Sequence, residues 1–307
     1  MRVKLLITGA SGFVGSRVAA TAQRQPGAHV RLLSRNAPHG PEYVHGDLCA
    51  PPSLRGVCAD TDVLVHCAAR VGGDAETVEA VNDHGTRALV EEAVRAGVRR
   101  IVYVSTAAVH GRGPFRGVRP GEVPIAPASP TSRTRAAAER YVLDAGGLVL
   151  RPHLVYGEGD HWMIPGLVWL LKELSATLTG CDALQSMIDV DSLGRAVVAA
   201  ALAPVPGGGV HHVNHPEPVA VPDLLASVGR ELEMPGGGAA VDVATALDRA
   251  AGSPLALHHL GMLTVDHWFA DDAFWKDFDC SPGEGFAAAF SRAAPWYRAF
   301  LQGRKVS

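Results

Sequence analysis

The chain lacks most of what marks a membrane, secreted or nucleic-acid-binding protein. No apolar run in its 307 residues is long enough to span a bilayer. The N-terminus goes straight into a strand-like segment, without the basic and apolar regions of a signal peptide. Cysteine is scarce. Cys49, Cys58, Cys67, Cys181 and Cys280 are odd in number and contain no CxxC, which excludes a disulfide framework and fits reduced, mostly buried thiols. A cytoplasmic protein is the expectation. Neither sign of charge dominates, with 28 Lys and Arg against 31 Asp and Glu, and the arginines are scattered rather than striped. That argues against a nucleic-acid partner. Of 14 histidines, His211, His212, His215, His258 and His259 cluster locally, but no HExxH or Cys/His ligand set accompanies them, so no metal site is expected. Internal repeats and low-complexity tracts are absent as well.

What is present begins at residue 3. The segment VKLLITGASGFVG, Val3 to Gly15, is an apolar run into Thr8, then Gly9, Gly12 and Gly15 at three-residue spacing, then a helical pattern from Gly15 to Ala22. This reads as strand, glycine turn and helix N-terminus. Gly9 suits a tight turn, Gly12 lets backbone approach phosphates, Gly15 lets the helix sit on the strand, and the free helix N–H groups face an anion. A dinucleotide is the implied ligand, with Ser11, Phe13 and Val14 in the same turn around it. The second strand, His29 to Leu33, ends in Ser34, Arg35 and Asn36. An NAD-specific site usually has a carboxylate there for the ribose 2′-hydroxyl. Arg35 instead suits a 2′-phosphate, so NADP is expected.

Composition permits a full core: 47% hydrophobic residues over this length correspond to roughly two domain equivalents. Strand-like runs alternate with helical patterns, as a parallel sheet wound by crossovers requires. Asp62 to Cys67 reads as a fourth strand, Thr77 to Ala96 as a helix, and Arg100 to Ser105 as a fifth strand. The Pro- and Gly-rich stretch Gly111 to Pro130 reads as a long loop. Thr131 to Asp144 follows as helix and Leu148 to Leu150 as a short buried strand, while Ile188 to Ala203 looks like a return to the first half. The expected division is a dinucleotide-binding part over 1–157 and 188–214, and a substrate-binding region over 158–187 and 215–307.

Several motifs together resemble the extended short-chain dehydrogenases/reductases, the group that includes sugar-nucleotide epimerases and dehydratases, nearly end to end. They are TGASGFVG at Thr8 to Gly15, GDL at Gly46 to Leu48, HCAAR at His66 to Arg70, STAAVHG at Ser105 to Gly111, RPHLVYG at Arg151 to Gly157, and IDVDSLGRA at Ile188 to Ala196. The resemblance implies an α/β fold: a doubly wound parallel Rossmann sheet with a smaller, discontinuous C-terminal substrate domain or lid. It also implies Asp47 and Leu48 around the adenine, Ala68, Ala69 and Arg70 beside the ribose and pyrophosphate, and Pro152, His153 and Val155 near the nicotinamide.

One departure from the family stands out. Where the resemblance calls for a Tyr and, four residues on, a Lys, aligning Ala136 to Arg140 places Thr131 and Arg135. None of Tyr43, Tyr103, Tyr141, Tyr156 and Tyr297 has Lys four residues later, so no shift of register restores the pair. A phenol can be tuned toward donating its proton by a neighbouring cation. A threonine hydroxyl cannot be tuned that far, and Arg135 stays charged, although it can hold ribose hydroxyls as the Lys would. Thr106 aligns with the family's substrate-binding hydroxyl. Losing a general acid costs about 10² to 10⁴ in rate, so activity on an electrophilic carbonyl remains open. His110, His153, a water, or an acidic hydroxyl of the substrate itself are the candidate donors.

The segments His161 to Leu171 and Leu255 to Phe269 carry large apolar groups and few of the cations that a sugar nucleotide's diphosphate would want. A large aromatic polyketide fits better, with Trp162, Met163, Trp169, Met262 and Trp268 as candidate walls. The expectation is an NADPH-dependent ketoreductase of such a substrate, with substrate-assisted protonation. The alternatives are a non-catalytic NADP-binding regulator and a sugar-nucleotide epimerase or dehydratase. A homodimer through the Thr131 helix is the oligomer that the resemblance implies.

Overall fold

In the computed structural model, which describes residues 2–36, 40–204, 207–234 and 239–303, the apolar runs become strands buried on both faces. β1 (Val3–Thr8), α1 (Phe13–Gln23), β2 (Ala28–Ser34), β3 (Tyr43–His45) and β4 (Val63–His66) open the chain. α2 (Ala75–Glu79), a π-helical turn (Ala80–Gly85) and α3 (Thr86–Arg95) then run on as one helical crossover into β5 (Arg100–Val104). The crossover starts two residues before the expected Thr77 because Asp74 caps it, accepting from Thr77 N at 2.7 Å. β6 (Phe115–Val118), α4 (Pro130–Asp144), β7 (Leu148–Arg151) and β8 (Leu154–Tyr156) follow. α4 begins where it does because Ser129 and Ser132 form a reciprocal cap with Pro130 inside the first turn.

The second half contains α5 (Met163–Leu174), β9 (Ala176–Thr179), β10 (Leu184–Gln185), β11 (Met187–Asp189), α6 (Val190–Leu202) and β12 (Gly209–His212). Then come β13 (Val219–Ala220), α7 (Val221–Glu231), β14 (Ala239–Asp242), α8 (Val243–Ala250), α9 (Pro254–Leu263), β15 (His267–Phe269), α10 (Asp272–Asp277) and α11 (Phe286–Leu301). Of the expected regions, residues 1, 37–39, 205–206, 235–238 and 304–307 lie outside the described residues.

Seven parallel strands form the main sheet in the order β12-β7-β5-β4-β1-β2-β3. This is a doubly wound α/β fold whose strand order reverses between β1 and β4, which opens a crevice at their C-terminal ends. Leu5 and Ile7 of β1 pack with Val18 of α1 and Leu193 and Val197 of α6 on one face. Leu6 of β1 packs with Leu89 of α3 and Val142 of α4 on the other. A further core joins Tyr156 to α5, α7, α9 and α11.

The reading of Gly111 to Pro130 as loop is corrected in part: Phe115–Val118 is a strand, paired in parallel with β15 and part of a four-stranded sheet β13-β10-β15-β6. Its four residues lie between Gly and Pro, and its partner is some 150 positions away, so local pattern does not reveal it.

Candidate functional site

The glycine turn has the geometry that a bound pyrophosphate needs. Gly9 sits at φ +74°, and a Cβ there would come within 2.6 Å of Ala68 N. A Cβ on Gly15 would lie 2.1 Å from Gly9 O, so α1 presses directly on the turn. Gly12 caps α1 without a side-chain hydrogen bond, which leaves the N–H groups of the first turn free for an anion. Ser11 and Gly12 are exposed while Phe13 and Val14 are half-buried beside them. These residues fit a dinucleotide. Thr8 Oγ1 lies 2.6 Å from His66 Nδ1 across the crevice, and His66 Nε2 lies 2.9 Å from Thr86 Oγ1. Burial, and then the charge of Arg135, push His66 down to about 3, so this ring is a neutral strut.

The remaining expected contacts are arranged around the same strand ends. Ala68 N donates to Thr8 Oγ1 at 3.2 Å. The Arg70 backbone is fixed from both sides by Asn82, whose Oδ1 accepts from Arg70 N at 2.7 Å and whose Nδ2 donates to Arg70 O at 2.9 Å. Asp47 Oδ1 accepts from Cys49 N at 2.9 Å and so shapes its own turn, with Leu48 buried beneath. Arg35 is exposed just past β2, clear of the core.

Thr106 and Pro152 follow the ends of β5 and β7, which are joined there by Ala107 N donating to Pro152 O at 2.8 Å. Thr106 Oγ1 itself caps the turn that follows, accepting from Ala108 N at 3.2 Å. Thr131 lies half-buried in the first turn of α4 and Arg135 one turn further on, with Val155 half-buried on β8. Arg135 Nη2 donates to Val104 O, its guanidinium stands 5.8 Å from the Tyr103 ring centre, and its Nε is buried without a partner. Arg135 therefore serves the end of β5 from inside the protein.

Neither histidine candidate is presented as an acid. His110 is 3% exposed, with Nδ1 3.1 Å from Pro124 O and Nε2 3.2 Å from His212 Nε2. Both nitrogens are engaged inside the protein, which corrects the expectation that His110 could donate to substrate. His153 is anchored through its backbone N–H to Asn214 Oδ1 at 2.8 Å, and its ring lies nearly parallel to that of His267, ring centres 5.5 Å apart. Burial first, then the neighbouring His267, push it down to about 3. A neutral imidazole is what remains near neutral pH. Its Nε2 is buried without a partner, as are Gln185 Oε1 and Asn214 Nδ2.

Trp162 is 70% exposed, Met163 and Trp169 pack against the core of the second half, and Trp268 lies over Gly117. A cavity of about 470 Å³ is lined by Gly157, Glu158, Asp189, Asp191, Arg292 and Trp296 among others, and includes none of Thr106, Thr131 or Arg135. Among the described residues no group of three or more His, Cys, Asp or Glu could hold a metal. No helix among them is long and apolar enough to cross a membrane.

Sequence reasoning missed Asn82, Glu139 and Asn214. A buried Asn in a helical crossover and a Glu four residues after Arg135 are the signals that could have found the first two.

The sequence profile of the NAD dependent epimerase/dehydratase family matches residues 5–214. A 2-alkyl-3-oxoalkanoate reductase of Stenotrophomonas maltophilia is 27% identical, aligned over 91% of this chain and 95% of its own length. A dTDP-glucose 4,6-dehydratase of Streptomyces antibioticus is 32% identical over 46% of this chain and 48% of its own. The solved structure of Bordetella bronchiseptica WbmH in complex with NAD+ superposes with TM-score 0.76 at 20% identity, over 98% of this chain and 100% of that one.

Proposed function

The chain belongs to the NAD dependent epimerase/dehydratase family, and from that premise we propose that it is an NADPH-dependent ketoreductase of a large aromatic polyketide. The observation that carries this reading is the pair Thr131 and Arg135 at the Tyr and Lys positions, beside two histidines whose nitrogens are buried or engaged. A protein without its own acid suits a substrate that brings one. The same pairing and the apolar second half resemble the angucyclinone ketoreductase of simocyclinone biosynthesis. The reductase relative that aligns over most of both chains supports reduction over epimerisation. Arg35, exposed after β2 with no carboxylate beside it, supports NADPH.

NADPH, when bound, supplies the hydride. The turn from Gly9 to Val14 would hold the pyrophosphate and Arg35 the 2′-phosphate, with Asp47 and Leu48 around the adenine and Ala68, Ala69 and Arg70 beside the ribose and pyrophosphate. Arg135 would hold the ribose hydroxyls, with Pro152, His153 and Val155 along the nicotinamide. Thr106 orients the ketone oxygen through a hydrogen bond, and Thr131 lies beside it without moving a proton. The ketone oxygen would take the proton of a neighbouring phenol as charge develops on it, and the phenolate would regain one from solvent. A dimer through the Thr131 helix and a cytoplasmic location belong to the same proposal.

A second reading is a sugar-nucleotide epimerase or dehydratase, favoured by the dTDP-glucose dehydratase relative. The test is turnover by the purified protein of a peri-hydroxy aryl ketone with NADPH, against dTDP-glucose or UDP-glucose with NAD. Cofactor oxidation with the ketone supports the proposal, and conversion of the sugar nucleotide alone overturns it. Tight NADPH binding with turnover of neither would point to a non-catalytic regulator.

A further inference from the structure

The proton count between His110 and His212 does not close for two neutral rings in contact. His110 Nδ1 lies 3.1 Å from Pro124 O, and His212 Nδ1 lies 3.1 Å from Val118 O. A carbonyl only accepts, so each ring carries its proton on Nδ1. A neutral imidazole has one N–H, which leaves both Nε2 atoms bare. They face each other at 3.2 Å. Among the described residues, the one further donor aimed at them is Arg151 Nη1, 3.3 Å from His110 Nε2. In the neutral pair Arg151 therefore satisfies His110, and His212 Nε2 meets only a lone pair.

We infer that His110 and His212 are positioning residues acting as one proton-sharing pair: two Nδ1–H donors pin the segment from Phe115 to Pro124, and one further proton enters between the two Nε2 atoms. That segment joins the turn bearing Thr106 to the helix bearing Thr131, so pinning it fixes the spacing of the two hydroxyls; this consequence rests on the reductase reading. One added proton turns the opposed lone pairs into an Nε2–H···Nε2 hydrogen bond, with the His212 imidazolium as donor. Asp271, whose Oδ2 accepts from the His212 backbone N–H at 3.1 Å, is a carboxylate that favours that charge, while His110 accepts from both His212 and Arg151. A second proton would oppose two N–H groups and set two imidazolium ions beside Arg151.

Among the described residues, the charged and titratable groups around the pair are Arg151 and its partner Glu139, Asp271 with His211, and His153. Phe115 and Phe269 close the rest of the wall. Burial holds both rings below the usual imidazole range, and for His212 the neighbouring His110 and then Arg151 add to it, down to about 4. The neutral pair is therefore the form present near neutral pH, and the shared proton enters in acid.

The test needs no substrate. Ring nitrogens of the full-length, isotope-labelled protein are followed by NMR from neutral to acid pH. Both rings are expected to be protonated at Nδ1 and bare at Nε2 at neutral pH, and then to move together at one midpoint as a single proton enters. His212→Asn keeps an N–H where Nδ1–H stood and deletes Nε2. It should abolish the joint step while leaving hydrogen exchange at the wild-type rate for the amides of Ala126, which donates to Val109 O, and Ala270, which donates to Val118 O. His212→Leu deletes both nitrogens and should speed that exchange roughly tenfold. A neutral-pH ring protonated at Nε2, separate midpoints, or unchanged exchange in His212→Leu each overturns the inference. Should His212→Leu fail to fold, the wild-type spectra still decide. A protein that reduces no aryl ketone would lose the reductase reading and leave these spectra as expected.

Discussion

Arg151 meets Glu139 through two buried hydrogen bonds, Nε to Oε1 at 2.9 Å and Nη2 to Oε2 at 2.5 Å, and so ties the end of β7 to α4. Ser105 Oγ donates to the same carboxylate at 2.5 Å, which adds the end of β5. The residues proposed to carry the chemistry, Thr106, Arg135 and His153, each lie within four positions of one of these three.

Removing one partner of that pair leaves the other charge buried and alone, a loss of about 3–5 kcal/mol. Glu139→Ala and Arg151→Ala should each lower urea-unfolding stability by about that much. The double change Glu139→Leu with Arg151→Met should recover most of it. A single variant within about 1 kcal/mol of the parent, the range of an exposed pair, would show that the two residues do not depend on each other.

Cofactor choice is read from Arg35. NADPH should bind more tightly than NADH, and Arg35→Ala should remove most of the difference while leaving NADH affinity nearly unchanged. A charge-assisted pair with a phosphate contributes on the order of 1.5–3 kcal/mol, or roughly 10- to 100-fold in affinity. Titration calorimetry with both nucleotides measures it. Equal affinities in the parent protein would remove the assignment.

Acid should destabilise the fold in a definite window. His66 and His153 are held down at about 3 and His212 at about 4, burial being the largest cause in each. Below the ordinary imidazole value near 6.5 the unfolded chain takes up protons that the folded chain refuses, so stability is full above that pH and falls as pH drops toward about 4. Each such ring adds a slope of about 1.4 kcal/mol per pH unit in that interval. Urea midpoints at pH 7, 6 and 5 should fall in order, and His66→Asn should reduce the slope. A midpoint that is flat over this range would mean the rings are protonated in the folded state.

The crevice and its glycine turn were legible in the residues because their constraints are local. Gly9, Gly12 and Gly15 act through backbone conformation and close approach within a few positions of one another. The alternation of strand and helix runs was legible for the same reason. β6 was not, since a four-residue strand gains its stability from a partner far along the chain. His110 shows the same limit at the site. Its place after Thr106 suggested a donor to substrate, whereas its partners Pro124, Arg151 and His212 come from three separate segments. Trp162, at the start of an apolar helix, read as a wall and is the most exposed tryptophan position in that segment because the buried face of α5 begins at Ile164.

The source of the proton can be tested, because the proposed function sets Thr131 and Arg135 at the positions of the family's Tyr and Lys. If a phenol of the substrate is the acid, Thr131→Val removes at most one hydrogen bond, about 0.5–1.5 kcal/mol, and most of kcat should survive. The methyl ether of the same phenol should still bind but lose about 10² or more in kcat, since the internal donor is gone. His153→Ala should change kcat less than methylation does, because a ring held at about 3 is neutral and has no acidic proton to give near neutral pH. Single-turnover rates with matched phenol and methyl ether, in the parent and both variants, measure all three. The idea fails if the ether is reduced at the parent rate while His153→Ala, folded and binding NADPH normally, is inactive; that pattern would return the acid to the protein and make the depressed imidazole its source.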